Sequence, residues 1–516
     1  MKSLHLYFIY TLIRKNPNMS HNIRSLFLKD TQTRKALPLF CSLLIVGSFA
    51  AYAYSQYASN FYADIDGFSY LNTVGSVWNN LSGGIKYWID PLRSTLLMLF
   101  IPPEINIARF AMIGYLLVST FFIYLLVRQF TKRDDFAFIA SVSFGTIPYL
   151  LDFTRQVMSD LPALALFLAG LYFFLRGFEM QRIRNRDYLI SSIMMGFSFI
   201  IRFDMAILIL PIFVLLLLKD RKKFLGYLAP FLFIAVFLEL LSTYLYVGQL
   251  EYLPWKFVYT NFFTDQWAVS HVSNTSFLYY PSLAFSYQPI LFLLAFLSLF
   301  LVFRLKDSKS LLITAMLILY TVAFFVAPKT TPRVYFINYF AIGILLSAIF
   351  LASLFRQKIF QKKSVLKWLP LALMIGVILI PNIALQAPFP YLSWNPQEPI
   401  QRLVDDGKFT NRSILSNCFQ GLIYFISSTD SISKPLPPIT KINQIDCILM
   451  PDHDVNILAN ELEEKKYDLL LYFEYPELSD FEPEELEYLM KSYRFEVLLS
   501  GEYRLFLFYL NAYTDS

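Results

Sequence analysis

Charge and cysteine are both scarce in this chain. Lys, Arg, Asp and Glu make up 16% of 516 residues, well short of the roughly 25% usual in soluble domains. With 56% hydrophobic and 18% aromatic residues, a soluble core could not hide the apolar surface, whereas lipid can. Three cysteines leave no zinc-type spacing. Cys41 sits in an apolar run and reads as packing. Cys418 and Cys447 fall on strand-like segments, where a disulfide and two free thiols both stay open. No Walker loop, dinucleotide glycine pattern, internal repeat or low-complexity segment occurs, which argues against an ATPase or an oxidoreductase.

What is abundant is long apolar runs. A bilayer needs about 17–25 such residues per helix, and eleven candidates follow one another: 37–57, 107–127, 136–151, 161–175, 188–201, 204–218, 224–248, 289–303, 311–327, 334–355 and 368–387. Residues 1–12 are apolar but too short to span, and no small-residue cleavage site follows. They read as an interfacial segment, or as a sign that the chain starts at Met19.

Charge divides the chain. Residues 388–516 hold 10 Lys+Arg against 21 Asp+Glu, and the remainder holds 34 against 17. The basic excess lies between apolar runs, so it speaks for a membrane and not for nucleic acid. Every second connection is basic: Arg128/Lys132/Arg133, Arg176–Arg186, Lys219–Lys223, Arg304–Lys309 and Arg356–Lys367. Positive loops stay cytoplasmic, which predicts a cytoplasmic segment 1–36 and a membrane domain 37–387. The extracytoplasmic pieces are then loops 58–106 and 249–288 and a tail domain 388–516. Trp78, Tyr87 and Trp88 suit the first loop to the headgroup region.

The tail reads as a small α/β unit. Strands are expected at Ser413–Ser416, Leu422–Ile426, Cys447–Met450 and Asp468–Phe473, and helices at Ile457–Lys466 and Glu482–Lys491. Phe495–Leu499 and Tyr503–Tyr509 flank Ser500-Gly501-Glu502, a hairpin signal. The fold class is therefore mainly α, a polytopic membrane protein of about eleven spans with a small soluble C-terminal domain.

Ionisable groups at or near membrane depth call for an explanation. Asp64 and Asp66 come straight after the first run, in Tyr62-Ala63-Asp64-Ile65-Asp66-Gly67-Phe68-Ser69-Tyr70. A carboxylate there can act as a general base on a hydroxyl, or simply be solvated. In Asp152-Phe153-Thr154-Arg155-Gln156-Val157-Met158-Ser159-Asp160-Leu161-Pro162, Asp160 as cap with Pro162 in the first turn starts a helix. Arg202 and Asp204 punctuate a tight turn, where they can pair with each other. Arg93, Arg109, Arg155, Lys329 and Arg333 lie on the side where cations are sparse. Phosphate is a natural partner, since arginine binds it through two parallel hydrogen bonds; snorkelling to lipid headgroups is the alternative.

In this order, the features resemble the GT-C glycosyltransferases, in particular the branch of dolichyl-phosphate-mannose–protein mannosyltransferases and bacterial lipid A aminoarabinose transferases. The resemblance covers roughly residues 37–350. Asp66 and Tyr70 match the family's acidic motif after the first span, with Gly67 where the family has Glu. Asp90-Pro91-Leu92 with Ile107-Ala108-Arg109-Phe110, Arg155…Asp160-Leu161-Pro162, and Arg333-Val334-Tyr335 are similar to three further motifs. The resemblance implies an inverting transfer of sugar from a polyprenyl-phosphate donor to a glycan, lipid or protein hydroxyl, on the outer face of the plasma membrane. Asp66, then Asp64, would be the catalytic base. Arg93, Arg155, Asp160, Lys329 and Arg333 would hold the donor. No metal site or cofactor is assigned, and the family chemistry leaves room for a divalent cation. The rival readings are a transporter or flippase of lipid-linked sugars and a non-catalytic scaffold of the same architecture.

Overall fold

The computed structural model describes residues 31–57, 105–179, 185–241, 293–298, 308–326 and 336–355 of the membrane part. In the tail it describes 412–416, 444–447, 467–474, 483–499 and 504–513, with isolated positions between 372 and 462. The expected strand at 422–426, the helix at 457–466 apart from Leu462, most of the spans at 289–303 and 368–387, and Cys418 lie outside the described residues.

Eleven α-helices and five strands are named among the described residues. The membrane helices are α1 (Thr31–Tyr57), α2 (Ile105–Thr131), α3 (Asp134–Gly145), α4 (Pro148–Gln156), α5 (Asp160–Glu179), α6 (Asn185–Ile201), α7 (Met205–Lys219), α8 (Arg221–Leu232), α9 (Ser308–Val326) and α10 (Phe336–Phe355). Five helical stretches, Ala36–Ser55, Asn106–Thr131, Asp160–Phe178, Arg221–Leu241 and Ile337–Leu354, are long and apolar enough to cross a membrane, and α3 with α4 makes a bent sixth. Met205–Lys219 and Ser308–Ala323 are shorter apolar helices. The described residues thus carry a polytopic membrane architecture with five or six candidate spans; the expected runs at 188–201, 204–218 and 311–327 form helices outside that set, and those at 289–303 and 368–387 lie mostly beyond the described residues.

Helix α2 is the hub, touching α1, α3, α4, α5 and α10. Its buried residues Ala108, Met112, Leu116, Ile123 and Val127 recur at helical spacing, so one stripe faces protein. On α1 the protein-facing stripe is small, with Val46, Ala50 and Ala53 buried, while Phe40 and Leu44 face outward. Small residues let membrane helices approach closely. Gly145 takes this furthest: a β-carbon there would stand 2.6 Å from the Val46 methyls and 2.8 Å from Thr120 Oγ1.

One span differs from expectation. The run 136–151 is not a single helix, because α3 ends at Gly145 and α4 begins at Pro148, with a bend of 51° between them. Proline lacks the N–H that would continue the ladder and its ring clashes with the carbonyl four residues back. Asp160 also differs from its expected cap position. It lies within the first turn of α5, and the carbonyl of Ser159 accepts the first helical bond, from Ala163 N–H at 3.1 Å.

The tail strands are β1 (Ser413–Ser416), β2 (Gln444–Cys447), β3 (Leu469–Glu474), β4 (Tyr493–Leu499) and β5 (Arg504–Tyr513), with helix α11 (Pro483–Ser492) before β4. The sheet order is β2-β1-β3-β5-β4, with β1 parallel to β2 and β3, and β5 antiparallel to β3 and β4. Of the expected strand at 447–450 only Cys447 is described, as the last residue of β2. Period-two alternation splits the sheet's side chains. Leu469, Leu471, Leu505 and Leu507 join the large apolar cluster that also holds the membrane helices, while Leu470, Tyr472, Phe506 and Phe508 form a second cluster with Leu489 of α11.

Candidate active site

The alternate connections separate into two ends of the bundle. At the end read as cytoplasmic, Arg128 Nε meets Asp134 Oδ1 at 2.7 Å and Arg176 Nε donates to Asp187 Oδ2 at 2.8 Å. There Lys219 Nζ donates to Ser308 Oγ at 3.2 Å, joining two of the basic connections.

The opposite end is built by three chain breaks. The first is the end of α4, where Val157 takes up φ 56, ψ 43. A left-handed residue terminates the helix and exposes its last carbonyls. Arg109, on the first turns of α2, is fully buried and its Nε donates to the Arg155 carbonyl at 3.2 Å. A cation there also opposes the negative end of the helix dipole. Arg155 itself is buried and pairs through Nη2 with Asp152 Oδ1 at 3.0 Å, one turn back on α4.

The second break is the turn between α6 and α7. Arg202 reaches two carboxylates from one guanidinium: Nη1 lies 2.7 Å from Asp160 Oδ2, and Nε lies 2.9 Å from Asp204 Oδ1. The expected Arg202–Asp204 pair is therefore present, and Asp160 completes a triad across α5 and the turn. The third break, between α9 and α10, sends in a hydrogen-bond chain. Asn338 Nδ2 donates to Tyr320 Oη at 2.8 Å, and Tyr320 Oη donates to Asp204 Oδ2 at 3.5 Å.

The arrangement therefore gathers three arginines and three aspartates, all buried or nearly so, at one end of the bundle. Taken as a group they balance in charge, which is how ionised groups tolerate a low-dielectric setting. Of the residues singled out in the sequence, Arg109, Arg155, Asp160, Arg202 and Asp204 are brought to this end. Asp64, Asp66, Arg93, Lys329 and Arg333 lie outside the described residues. Sequence reading passed over Asp152, Tyr320 and Asn338. Asp152 carried the signal of an i,i+3 partner for Arg155. Tyr320 and Asn338 carried only the weaker one of hydrogen-bonding groups within apolar runs. Among the described residues, no cluster of three metal-binding side chains forms.

This fold resembles that of polytopic membrane glycosyltransferases of the GT-C class. The family described as dolichyl-phosphate-mannose-protein mannosyltransferase matches residues 94–247, the stretch that supplies all six charged residues of the network. The chain is similar in structure to ArnT from Cupriavidus metallidurans bound to undecaprenyl phosphate, with a TM-score of 0.60 and 12% identity over 94% of this chain and 99% of that one. It also resembles the apo oligosaccharyltransferase of Archaeoglobus fulgidus, with a TM-score of 0.56 and 11% identity over 92% of this chain and 74% of that one. At these identities the structural likeness speaks for the fold. Comparison with curated protein sequences finds no significant match.

Proposed function

We propose that this protein transfers a sugar from a polyprenyl-phosphate carrier to a hydroxyl of a glycan, lipid or protein, with inversion, at the extracytoplasmic face of the plasma membrane. The observation that carries the reading is the buried Arg–Asp network within the matched family segment, on a fold shared with a protein bound to undecaprenyl phosphate. In this scheme Asp66 removes the proton from the acceptor hydroxyl as it attacks the anomeric carbon, with Asp64 beside it. The departing lipid phosphate gathers negative charge, which fixed cations stabilise.

The network refines which cations do this. Arg109, Arg155 and Arg202 are matched by Asp152, Asp160 and Asp204, so the group offers no surplus positive charge. The surplus for a phosphate comes from Arg93, Lys329 and Arg333. Arg155 and Asp160 then frame the donor, Arg155 at the edge of the phosphate and Asp160 as an acceptor for sugar hydroxyls. The basic connections support a cytoplasmic N-terminus, which leaves the tail outside.

A flippase is the competing reading, favoured by Glu239, fully buried just beyond a π-helical turn at Phe233–Leu238. One acid within a span weighs less than six ionised groups gathered at one end.

The test is an assay of sugar transfer from polyprenyl-phosphate donors by the full-length protein in lipid nanodiscs, alongside mass spectrometry of co-purified lipid. Asp66→Asn removes the base and should lower the rate by about 10²–10⁴-fold with the protein still inserted and abundant. Asp64→Asn should do less. Equal and mild effects from both would rule out the assigned base.

A further inference from the structure

The rigid guanidinium of Arg202 makes its two carboxylates interdependent. Nε is committed to Asp204 and Nη1 to Asp160, and the group is planar with its donors in a fixed fork. Turning the fork to follow Asp204 therefore moves it off Asp160. What holds Asp204 from its other side is Tyr320, whose hydroxyl approaches the second carboxylate oxygen, and Tyr320 is held in turn by the Asn338 amide. Each group in this chain is buried or nearly so. Tyr320 is also fixed edge-on against Tyr339, ring centroids 5.1 Å apart, so its hydroxyl has little freedom to move away.

Stability alone does not account for such a chain. Apolar side chains of similar volume would serve a buried position as well or better. Geometry does account for it: one turn of α9, the start of α10, the α6–α7 turn and the start of α5 are tied into a single line ending on Asp160.

We infer that Tyr320 and Asn338 are positioning residues for Asp160, acting through Asp204 and Arg202 to aim that carboxylate at the donor sugar. This rests on the glycosyltransferase reading above. The 3.5 Å contact is the longest of the four links, so losing it loosens the line without breaking it.

The test is steady-state transfer by the full-length protein in nanodiscs, with Tyr320→Phe, Asn338→Leu and the double variant. Tyr320→Phe should raise the donor KM about fivefold, the size of one net hydrogen bond, with kcat changed by less than about twofold. Asn338→Leu should raise KM less. The double variant should match Tyr320→Phe, because Asn338 acts only through the phenol oxygen. A purely structural role would lower the amount of active protein and leave KM alone, since KM does not depend on how much protein survives. An unchanged KM in Tyr320→Phe, or effects that add in the double variant, with an active wild type, overturns the positioning role alone. A wild type that transfers from no polyprenyl-phosphate donor overturns the glycosyltransferase reading and this inference with it.

Discussion

Apart from Arg176–Asp187, whose carboxylate is buried, the two ends of the helical bundle use the same side chains in opposite settings. At the basic end, Arg128 and Asp134 are 38% and 39% exposed, and Lys223 and Asp220 are 29% and 35% exposed. At the other, Arg202 is 5%, Asp160 1% and Asp204 8% exposed. Exposed pairs gain little from each other because water screens them and holding two long side chains costs entropy. Buried pairs have left water behind, so each ion depends on its partner. The basic end can therefore serve topology through charge count alone. The buried end must keep its geometry, as the proposed active site requires.

That contrast can be broken at its strong side first. Arg202→Gln leaves Asp160 and Asp204 buried without their cation, and should destabilise the protein by about 3–5 kcal/mol. Thermal unfolding in detergent measures it, and a change of under about 1 kcal/mol would mean that the corner is wet. The tail supplies an intermediate case. Glu496 accepts from Tyr509 Oη at 2.7 Å and Lys408 Nζ lies 2.9 Å away. These two partners, Tyr509 first, hold its carboxyl below the ordinary glutamate range. A folded value below the unfolded one gives stabilisation that is complete above the unfolded value and lost as pH falls through the folded one. With Glu496 39% exposed, the loss should be about 1 kcal/mol or less. It should appear as a melting temperature that drops less with acid in Glu496→Gln than in the native chain. At the weak side, Arg128→Gln should cost about 0.5 kcal/mol or less, and that cost should shrink further in high salt. A cost matching that of Arg202→Gln would erase the distinction between the ends.

Much of this was legible before any fold. Span positions follow from the length of apolar runs, and α2, α5 and α10 lie where the runs at 107–127, 161–175 and 334–355 put them. The β4–β5 pairing follows from two alternating strands on either side of Ser500-Gly501-Glu502. Other features resisted reading because their cause is distant. Pro148 was visible inside the run 136–151, but apolar composition alone does not tell a bent pair from a straight span. The Arg202–Asp204 pair was readable because a single residue separates its members. The Asp160–Arg202 pair was not, since its members are 42 positions apart and only the packing of α5 on α6 closes that distance.

The sequence by itself determined that this is a membrane protein, how its apolar runs and basic connections alternate, and which of its motifs resemble a known family. These depend on composition and short-range pattern, which survive without knowledge of contacts. Only the tertiary structure decided that Arg109 reaches the Arg155 carbonyl and that Arg202 also reaches Asp160, and that a line of polar groups runs from α10 to the first turn of α5. Pairing between ions is settled by distances of 3–4 Å, and helix packing alone sets distances on that scale.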